Sequence, residues 1–187
     1  MSQYTSGVQI VSSPDQYKTG PVIIPGVGSS TQLMKNIKKQ NFDSMIDEVN
    51  SKGNKIIGIC AGFQVLANSS DEGEGVECLG YLPISVTRMK DDSGNFLSCT
   101  GWKDVELLVN GETRFSNDFK GRRVIRGEAY FNHEYGALFD KTAVSDNDLF
   151  GVSDNYFTHF IRDNIYGFQF HPEKSSGLGR ELLRALR

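Results

Sequence analysis

The stretch that decides the fold is KIIGICAGFQVLA, residues 55–67. It opens with an unbroken apolar run, which is typical of a strand buried in a parallel sheet, and it continues with a helical pattern. Cys60 stands at the junction, with Gly58 and Gly62 on either side. Glycines there remove side chains that would crowd a sharp turn, and the start of the helix favours a thiolate. The stretch predicts a nucleophile elbow with the Ala61 N–H available to an oxyanion; the alternative is a small cysteine packed in the core.

The composition favours one globular domain over residues 1–187, since 38% of the residues are hydrophobic. The net charge of −3 gives no electrostatic case for a nucleic acid or an anionic membrane, and the basic cluster at 120–126 is interpreted as a solvated face. No apolar run reaches the ~18 residues of a membrane span, and the first residues lack a signal-peptide pattern. Three cysteines without metal or disulfide spacing predict a reducing, cytoplasmic location, and the sequence calls for no metal and no cofactor.

Short apolar runs alternate with helical patterns in the first half of the chain. Residues 8–11 (VQIV) and 21–26 (PVIIPG) are predicted to be strands, and residues 30–50 carry the apolar spacing of helices. Strand–helix–strand order of this kind predicts a parallel sheet with helices on its faces. From Gly80 onward, runs separated by Gly, Asn and Asp turns predict further strands, and residues 175–187 predict a terminal amphipathic helix.

A second apolar strand ends in HPEKSS, residues 171–176. A thiolate nucleophile needs a base, and His171 lies there, just before the last helix. Side chains at positions i and i+2 can project the same way, so Glu173 can accept from the imidazole and set its tautomer. The alternative is that Glu173 only favours the start of the last helix. The other histidines, His133 and His159, lie in aromatic strands and are predicted to be packed or hydrogen-bonded in place.

A glycine turn follows the strand in IIPGVGSS, residues 23–30. Gly26 and Gly28 leave backbone N–H groups exposed with little side-chain bulk. The turn could complete an oxyanion hole or cradle an anion, and the alternative is an ordinary turn. The sequence evidence for a phosphate-binding loop here is weak, because the Walker lysine and the Rossmann glycine spacing are both absent.

Together, and in this order, PGVG, GICAGFQ and FQFHPEKS resemble the class I (triad) glutamine amidotransferases. The stretches TGWKDVEL, YFNHEY and GFQFHPEKSSGLGRELLRAL are most similar to the glutaminase subunits of imidazole glycerol phosphate synthase. The resemblance implies an α/β, flavodoxin-like fold, with a mainly parallel central sheet, helices on both faces and added antiparallel strands. It also implies an enzyme that hydrolyses glutamine and passes the ammonia to a (β/α)8 cyclase partner, as a heterodimer, in histidine biosynthesis.

The resemblance also implies residue roles. Cys60 would be the nucleophile, His171 the general base and acid, and Glu173 the residue that orients it. The oxyanion hole would be formed by Ala61 together with Val27 or Gly28. The substrate pocket would be formed by Gly26, Gln64, Glu72, His133, Glu134 and Tyr135, with the last three contributing backbone. The partner would be met by Trp102, Tyr130 and Lys174.

The chain departs from the family pattern in three places. About two dozen residues that usually precede VQIVSSP are replaced by MSQYTSG, the family's PHxGWN pattern appears as SCTGWK, and the elbow reads CAGFQ where CLGMQ is usual. These departures keep alternatives open: an amidotransferase subunit that feeds another synthase, for surface-sugar amidination or pyridoxal phosphate synthesis, or a non-catalytic binding subunit. A cysteine peptidase or γ-glutamyl hydrolase on a related fold is a further alternative.

Overall fold

The computed structural model describes residues 8–110 and 122–186. The described helices are α1 (Ser30–Lys39), α2 (Phe42–Ser51), α3 (Ala61–Gln64) and α4 (Ser176–Ala185). The described strands are β1 (Val22–Ile24), β2 (Ile56–Ile59), β3 (Ser69–Ser70), β4 (Val76–Glu77), β5 (Ser85–Arg88), β6 (Cys99–Asn110), β7 (Arg122–His133), β8 (Tyr135–Ala137), β9 (Leu149–Ser153), β10 (Tyr156–Arg162) and β11 (Ile165–Phe168). Short 3₁₀ turns cover Pro14–Gln16, Lys141–Ala143 and Pro172–Lys174.

The main sheet has the strand order β1-β2-β11-β10-β9. β2 pairs in parallel with β1 on one side and with β11 on the other, whereas β10 and β9 extend the sheet in antiparallel fashion. The sheet is therefore mixed, and the expected α/β class is confirmed. Because the carboxyl ends of parallel strands meet at one edge, the residues that follow β1, β2 and β11 come together there.

Apolar side chains cover both faces of this sheet. In β2, Ile56 packs with α1 and α2 side chains such as Met34 and Val49, whereas Ile57 and Ile59 pack on the opposite face. That opposite face is covered by α4 and by the inward side chains of the β6–β7 hairpin. Successive side chains of a strand point to opposite faces, so the continuous apolar run of β2 is what a strand buried on both faces requires.

The β6–β7 hairpin is antiparallel, and its register runs from Cys99↔His133 to Asn110↔Arg122. Its inward face is buried at Val105 and Leu107, while Trp102 and its cross-strand partner Tyr130 lie on the outward face. The hairpin thus has one apolar face for the core and one face directed outward. A separate small sheet has the order β4-β3-β5-β8.

Two element predictions were wrong. Residues 8–11 form no strand, and Ile10 exposes 86% of its surface. The helix predicted after Cys60 ends at Gln64, because the carbonyl groups of residues 65–67 accept hydrogen bonds from the segment 79–82. The helical pattern predicted over residues 30–50 is confirmed: it forms α1 and α2, and Asn41, just before α2, has a left-handed backbone with φ 57°.

The basic cluster is described only in part, because Lys120 lies outside the described residues. Arg126 pairs with Glu106 across the hairpin at 2.6 Å, and both side chains are exposed, as expected for a solvated face. Across residues 8–110 and 122–186, none of the helices combines the length and the apolar character that a membrane span requires.

Candidate active site

Cys60 lies directly after β2 and begins α3 with an unusual backbone, φ 53° and ψ −112°. Its N–H donates to the Phe168 carbonyl at 2.8 Å, and its carbonyl accepts from Phe63 at 3.0 Å and Gln64 at 3.1 Å. The residue is therefore tied to the neighbouring strand and to the first helical turn at once. A non-glycine residue is uncommon in this region of φ and ψ, and it is held there only when its surroundings require it. The predicted elbow is present.

Glycines around Cys60 allow the backbones of two segments, residues 24–26 and 59–62, to pass in close contact. A Cβ on Gly62 would lie 1.9 Å from the Ile24 carbonyl oxygen, and one on Gly26 would lie 2.1 Å from the Ile59 oxygen and 2.3 Å from the Ala61 nitrogen. Real Cβ atoms do not approach other atoms so closely. These glycines bring the PGVG turn against the elbow, next to the Ala61 N–H.

The PGVG turn itself is open to solvent beyond Gly26. Val27 is 95% exposed, and Gly28 has φ +96° with no atom within 4 Å of the place where a Cβ would stand. The next residue, Ser29, accepts a hydrogen bond from the Gln32 N–H and caps α1. The turn is thus held at both ends, while the peptides of Val27 and Gly28 have space around them.

His171 reaches Cys60 from the segment after β11. Its Nδ1 lies 2.8 Å from Glu173 Oε1, as the i, i+2 spacing predicts. Hydrogen bonds with Cys60 and then with Glu173 raise the pKa of His171 to about 9, although its partial burial opposes the shift. Glu173 therefore holds the Nδ1 proton, and the other ring nitrogen faces the sulfur. The structure brings Cys60, His171 and Glu173 together in the order of a catalytic triad.

The backbone of His171 is fixed by residues to which the sequence assigned no such role. Its N–H donates to the Tyr130 carbonyl at 2.8 Å, and its own carbonyl accepts from Ser175 Oγ at 2.6 Å. The same Ser175 oxygen accepts from the Tyr130 N–H at 3.0 Å. Ser175 therefore links β7 to the histidine. The only sequence signal for it was its place in the HPEKS motif.

The proposed substrate residues divide into two groups. Gln64 and His133 both donate to the Tyr135 carbonyl, from Nε2 at 2.7 Å and from Nδ1 at 2.8 Å, so these three residues lie together near the elbow. Glu72 instead accepts from the Ser30 N–H and Oγ, both at 2.7 Å, at the start of α1. The Glu134 carboxylate forms an exposed ion pair with Arg88 at 3.2 Å, which leaves its backbone for the predicted role.

The two histidines outside the triad are packed or hydrogen-bonded in place, as predicted: His159 is buried, whereas His133 is half-buried and donates to the Tyr135 carbonyl. Burial lowers the pKa of His133 to about 4 and that of His159 to about 3, so both imidazoles are neutral near physiological pH. The Nε2 atom of each is buried and makes no hydrogen bond with the described residues. No cluster of His, Cys, Asp or Glu in the described ranges has the arrangement of a metal site.

An aromatic face lies beside the triad. Trp102 is 49% exposed and meets the Tyr130 ring edge to face, with 5.6 Å between centroids. Lys174 Nζ stands 5.0 Å from the centre of the Tyr130 ring, and the Tyr130 and His171 rings are 6.3 Å apart. The predicted partner residues Trp102, Tyr130 and Lys174 therefore form one continuous surface, called here the Trp102 face, that borders His171.

Comparisons with known proteins show what the chain is similar to. A model of the CobB/CobQ-like glutamine amidotransferase domain matches residues 3–96. The imidazole glycerol phosphate synthase subunit HisH of Herpetosiphon aurantiacus is 34% identical over 178 residues, covering 94% of this chain and 80% of the relative. The HisH subunit of Moorella thermoacetica is 33% identical over 181 residues, covering 95% and 80%. A crystal structure of a glutamine amidotransferase has a TM-score of 0.58 at 19% identity, covering 89% of this chain and 78% of that chain.

A mixed α/β sheet that presents an elbow cysteine to a histidine–glutamate pair is the arrangement of the triad glutamine amidotransferases, and the structural likeness confirms the expected flavodoxin-like fold. The chain belongs to the family of HisH subunits of imidazole glycerol phosphate synthase.

Proposed function

We propose that this protein is the glutaminase subunit of an imidazole glycerol phosphate synthase, which supplies ammonia for histidine biosynthesis in the cytoplasm. The observation that carries the proposal is the contact of the elbow residue Cys60 with the His171–Glu173 pair, in a chain of the HisH family.

The reaction follows from the geometry of the triad. The Cys60 thiolate attacks the side-chain carboxamide carbon of glutamine, and the oxyanion accepts from the Ala61 N–H and from an N–H of the PGVG turn. His171, protonated at about neutral pH because its pKa is about 9, gives its Nε2 proton to the leaving nitrogen, which departs as ammonia. The neutral imidazole then takes a proton from water, which hydrolyses the thioester to glutamate and regenerates the thiolate.

Gln64 is the residue we assign to the amino-acid end of the substrate. Its NH2 group lies 2.7 Å from the Tyr135 carbonyl and 3.3 Å from Gln169 Oε1, so both of its hydrogens point to the protein. Its own Oε1 is then available to accept from the α-ammonium group of glutamine. The backbone of residues 133–135, Gly26 and Glu72 complete this pocket in the proposal.

The Trp102 face is the proposed docking surface for a (β/α)8 cyclase subunit. Exposed aromatic side chains backed by a rigid strand pair are typical anchors of protein interfaces. The face borders His171, so ammonia released there would leave toward the partner. We also propose that the partner turns the Val27–Gly28 peptide toward the oxyanion, since those residues have space to move.

The test is glutamate release from glutamine by the purified chain, alone and with a histidine-pathway cyclase barrel that carries its substrate. We expect slow release by the chain alone and strong stimulation by the loaded barrel. Cys60→Ala should lose at least about 10⁴-fold of the stimulated rate while it still binds the barrel.

Cys78→Ala is the matched control. Burial raises the pKa of the Cys78 thiol to about 11, which makes it a poor nucleophile, and the variant should keep its activity. Undiminished turnover in Cys60→Ala would refute the proposed chemistry. Turnover without any stimulation by the barrel would refute the proposed partner.

A further inference from the structure

Gln169 is a buried amide beside the nucleophile that the reaction above does not use. It follows β11 directly, exposes 1% of its surface, and its Nε2 lies 3.8 Å from Cys60 Sγ. Its backbone N–H donates to the Thr158 carbonyl at 2.9 Å, which anchors it to β10. The amide therefore meets the reacting sulfur from a fixed position in the main sheet.

A neighbouring carbonyl decides which end of the Gln169 amide faces the sulfur. The Tyr135 oxygen can only accept, and it lies 2.7 Å from Gln64 and 2.8 Å from His133. Gln64 must therefore turn its NH2 group toward that oxygen, and the same group lies 3.3 Å from the Gln169 side chain. Because Gln169 accepts there with its oxygen, it presents its NH2 group to Cys60.

We infer that Gln169 is a further catalytic residue, whose amide N–H donates to Cys60 Sγ and stabilises the thiolate. Gln64 and His133 are positioning residues, which hold the Tyr135 carbonyl and the Gln169 amide in the required orientation. The inference rests on the proposed function, since it concerns the nucleophile of that reaction. A hydrogen bond to an ionised acceptor is stronger than one to a neutral acceptor, so this contact favours the thiolate over the thiol.

Gln169 and His171 then have different tasks at the same sulfur. His171 gives its proton to the leaving nitrogen and takes one from water during thioester hydrolysis, so its charge changes within each cycle. An amide keeps its hydrogens throughout the cycle. Gln169 therefore still donates to the sulfur when thioester hydrolysis restores the thiolate.

Other titratable groups at the site come from two elements. His171 and Glu173 belong to the segment after β11, while His133 and Lys103 belong to the β6–β7 hairpin. The PGVG turn, which packs on the elbow, contributes no titratable side chain. The variants that test Gln169 leave all of these groups in place.

The experiment measures alkylation of Cys60 by iodoacetamide in the full-length chain between about pH 5 and pH 9, followed at the peptide level by mass spectrometry. Gln169→Met removes the donor and keeps the length of the side chain. We expect its alkylation midpoint to rise by about one pH unit and its rate near pH 7 to fall about tenfold. The exposed Gln40→Met, at the end of α1, is the matched control and should reproduce the parent profile.

Gln64→Met is the second variant, and it frees the Gln169 amide to rotate. We expect a smaller shift in the same direction, and this variant decides the case if circular dichroism shows that Gln169→Met has not folded. The inference is overturned if the folded variants keep the parent midpoint. Alkylation needs no glutamine, so a parent chain without turnover in the presence of the loaded barrel would refute the proposed function and would leave this measurement valid.

Discussion

The elbow around Cys60 and the Trp102 face are built in opposite ways. At the elbow, backbone atoms approach so closely that a side chain on Gly62 would collide with the Ile24 carbonyl. At the Trp102 face, aromatic side chains project outward and Trp102 is half-exposed. Chemistry needs atoms in fixed positions, whereas binding needs exposed surface on a rigid support. Substitutions at the elbow should therefore damage the fold or the reaction, and those at the face should damage binding alone.

Gly62→Ala should have the largest effect on the fold. The new Cβ would lie 1.9 Å from backbone of β1, which cannot yield as a flexible side chain would, so we expect a loss of more than about 3 kcal/mol in the free energy of unfolding. Gly177→Ala in α4 is the matched control. Nothing lies within 4 Å of its Cβ position, and it should be neutral or stabilising by up to about 1 kcal/mol. Urea unfolding measures the stability of both variants. Equal stability would contradict the close backbone contact between Gly62 and the Ile24 carbonyl.

His159 and His171 should make the free energy of unfolding depend on pH in opposite directions. Burial lowers the pKa of His159 in the folded protein to about 3. As the pH falls, the imidazole is therefore protonated in the unfolded chain before it is protonated in the folded one. The contribution of neutral His159 to the free energy of unfolding is complete above about pH 6.5 and is lost as the pH drops below that value. At about pH 5 this one group should cost about 2 kcal/mol. His159→Leu should flatten the loss on urea unfolding at a series of acidic pH values. A variant as acid-sensitive as the parent would exclude His159 as the cause.

His171 should act in the opposite direction. Its folded pKa is raised to about 9 by Cys60 and then by Glu173, so its contribution is complete below about pH 6.5 and is lost as the pH rises through about 9. Cys60→Ala removes the first of these partners. It should therefore weaken the alkaline loss of stability and leave the acid branch as it is in the parent.

Trp102→Ala tests the other side of the comparison. We expect affinity for the cyclase barrel to fall between about tenfold and a hundredfold, because truncation removes an exposed aromatic anchor. The thermal unfolding midpoint should change little. Phe96→Ala is the matched control, since Phe96 is an exposed aromatic residue outside the Trp102 face. Calorimetric titration with the barrel measures both variants, and an equal loss of affinity in the two would remove the special role of this face.

Local motifs explain how much of the site could be predicted from the sequence. The elbow needs only a buried strand, glycines and Cys60 within a few residues, and the His171–Glu173 contact follows from i, i+2 spacing. The flanking strands are parallel, so the topology places these motifs at one edge without further information. The resemblance to the family added the Trp102 face.

Long-range polar contacts could not be predicted in the same way. Gln169 touches Cys60 and Gln64 across more than a hundred residues, and no local pattern marks such a pair. The short length of α3 also depends on long-range contacts. The carbonyl groups of residues 65–67, which would continue the helix, accept hydrogen bonds from the backbone of residues 79–82 instead. Residues 8–11 show that β-branched composition alone does not make a strand, since none of the strands within 8–110 and 122–186 pairs with them.

The smallest predicted effect concerns Cys60 itself. A non-glycine residue at φ 53° and ψ −112° stores strain, and glycine adopts this conformation more readily. We therefore expect Cys60→Gly to be more stable than Cys60→Ala by about 1 kcal/mol, although both are inactive. Cys99 is the matched site, because it is also a buried cysteine but lies in β6, outside the positive-φ residues.

At Cys99 the order should reverse, since glycine in a strand interior costs backbone entropy and leaves a gap. The four variants are compared by urea unfolding, and only the sign of the Gly–Ala difference at each site matters. The same sign at both sites would mean that the elbow holds no strain. Opposite signs would show that position 60 carries a residue that stability alone would not select. In that case the close backbone contacts at Gly26 and Gly62 would hold Cys60 in its strained conformation, and this strain would reduce the stability of the fold by a small amount.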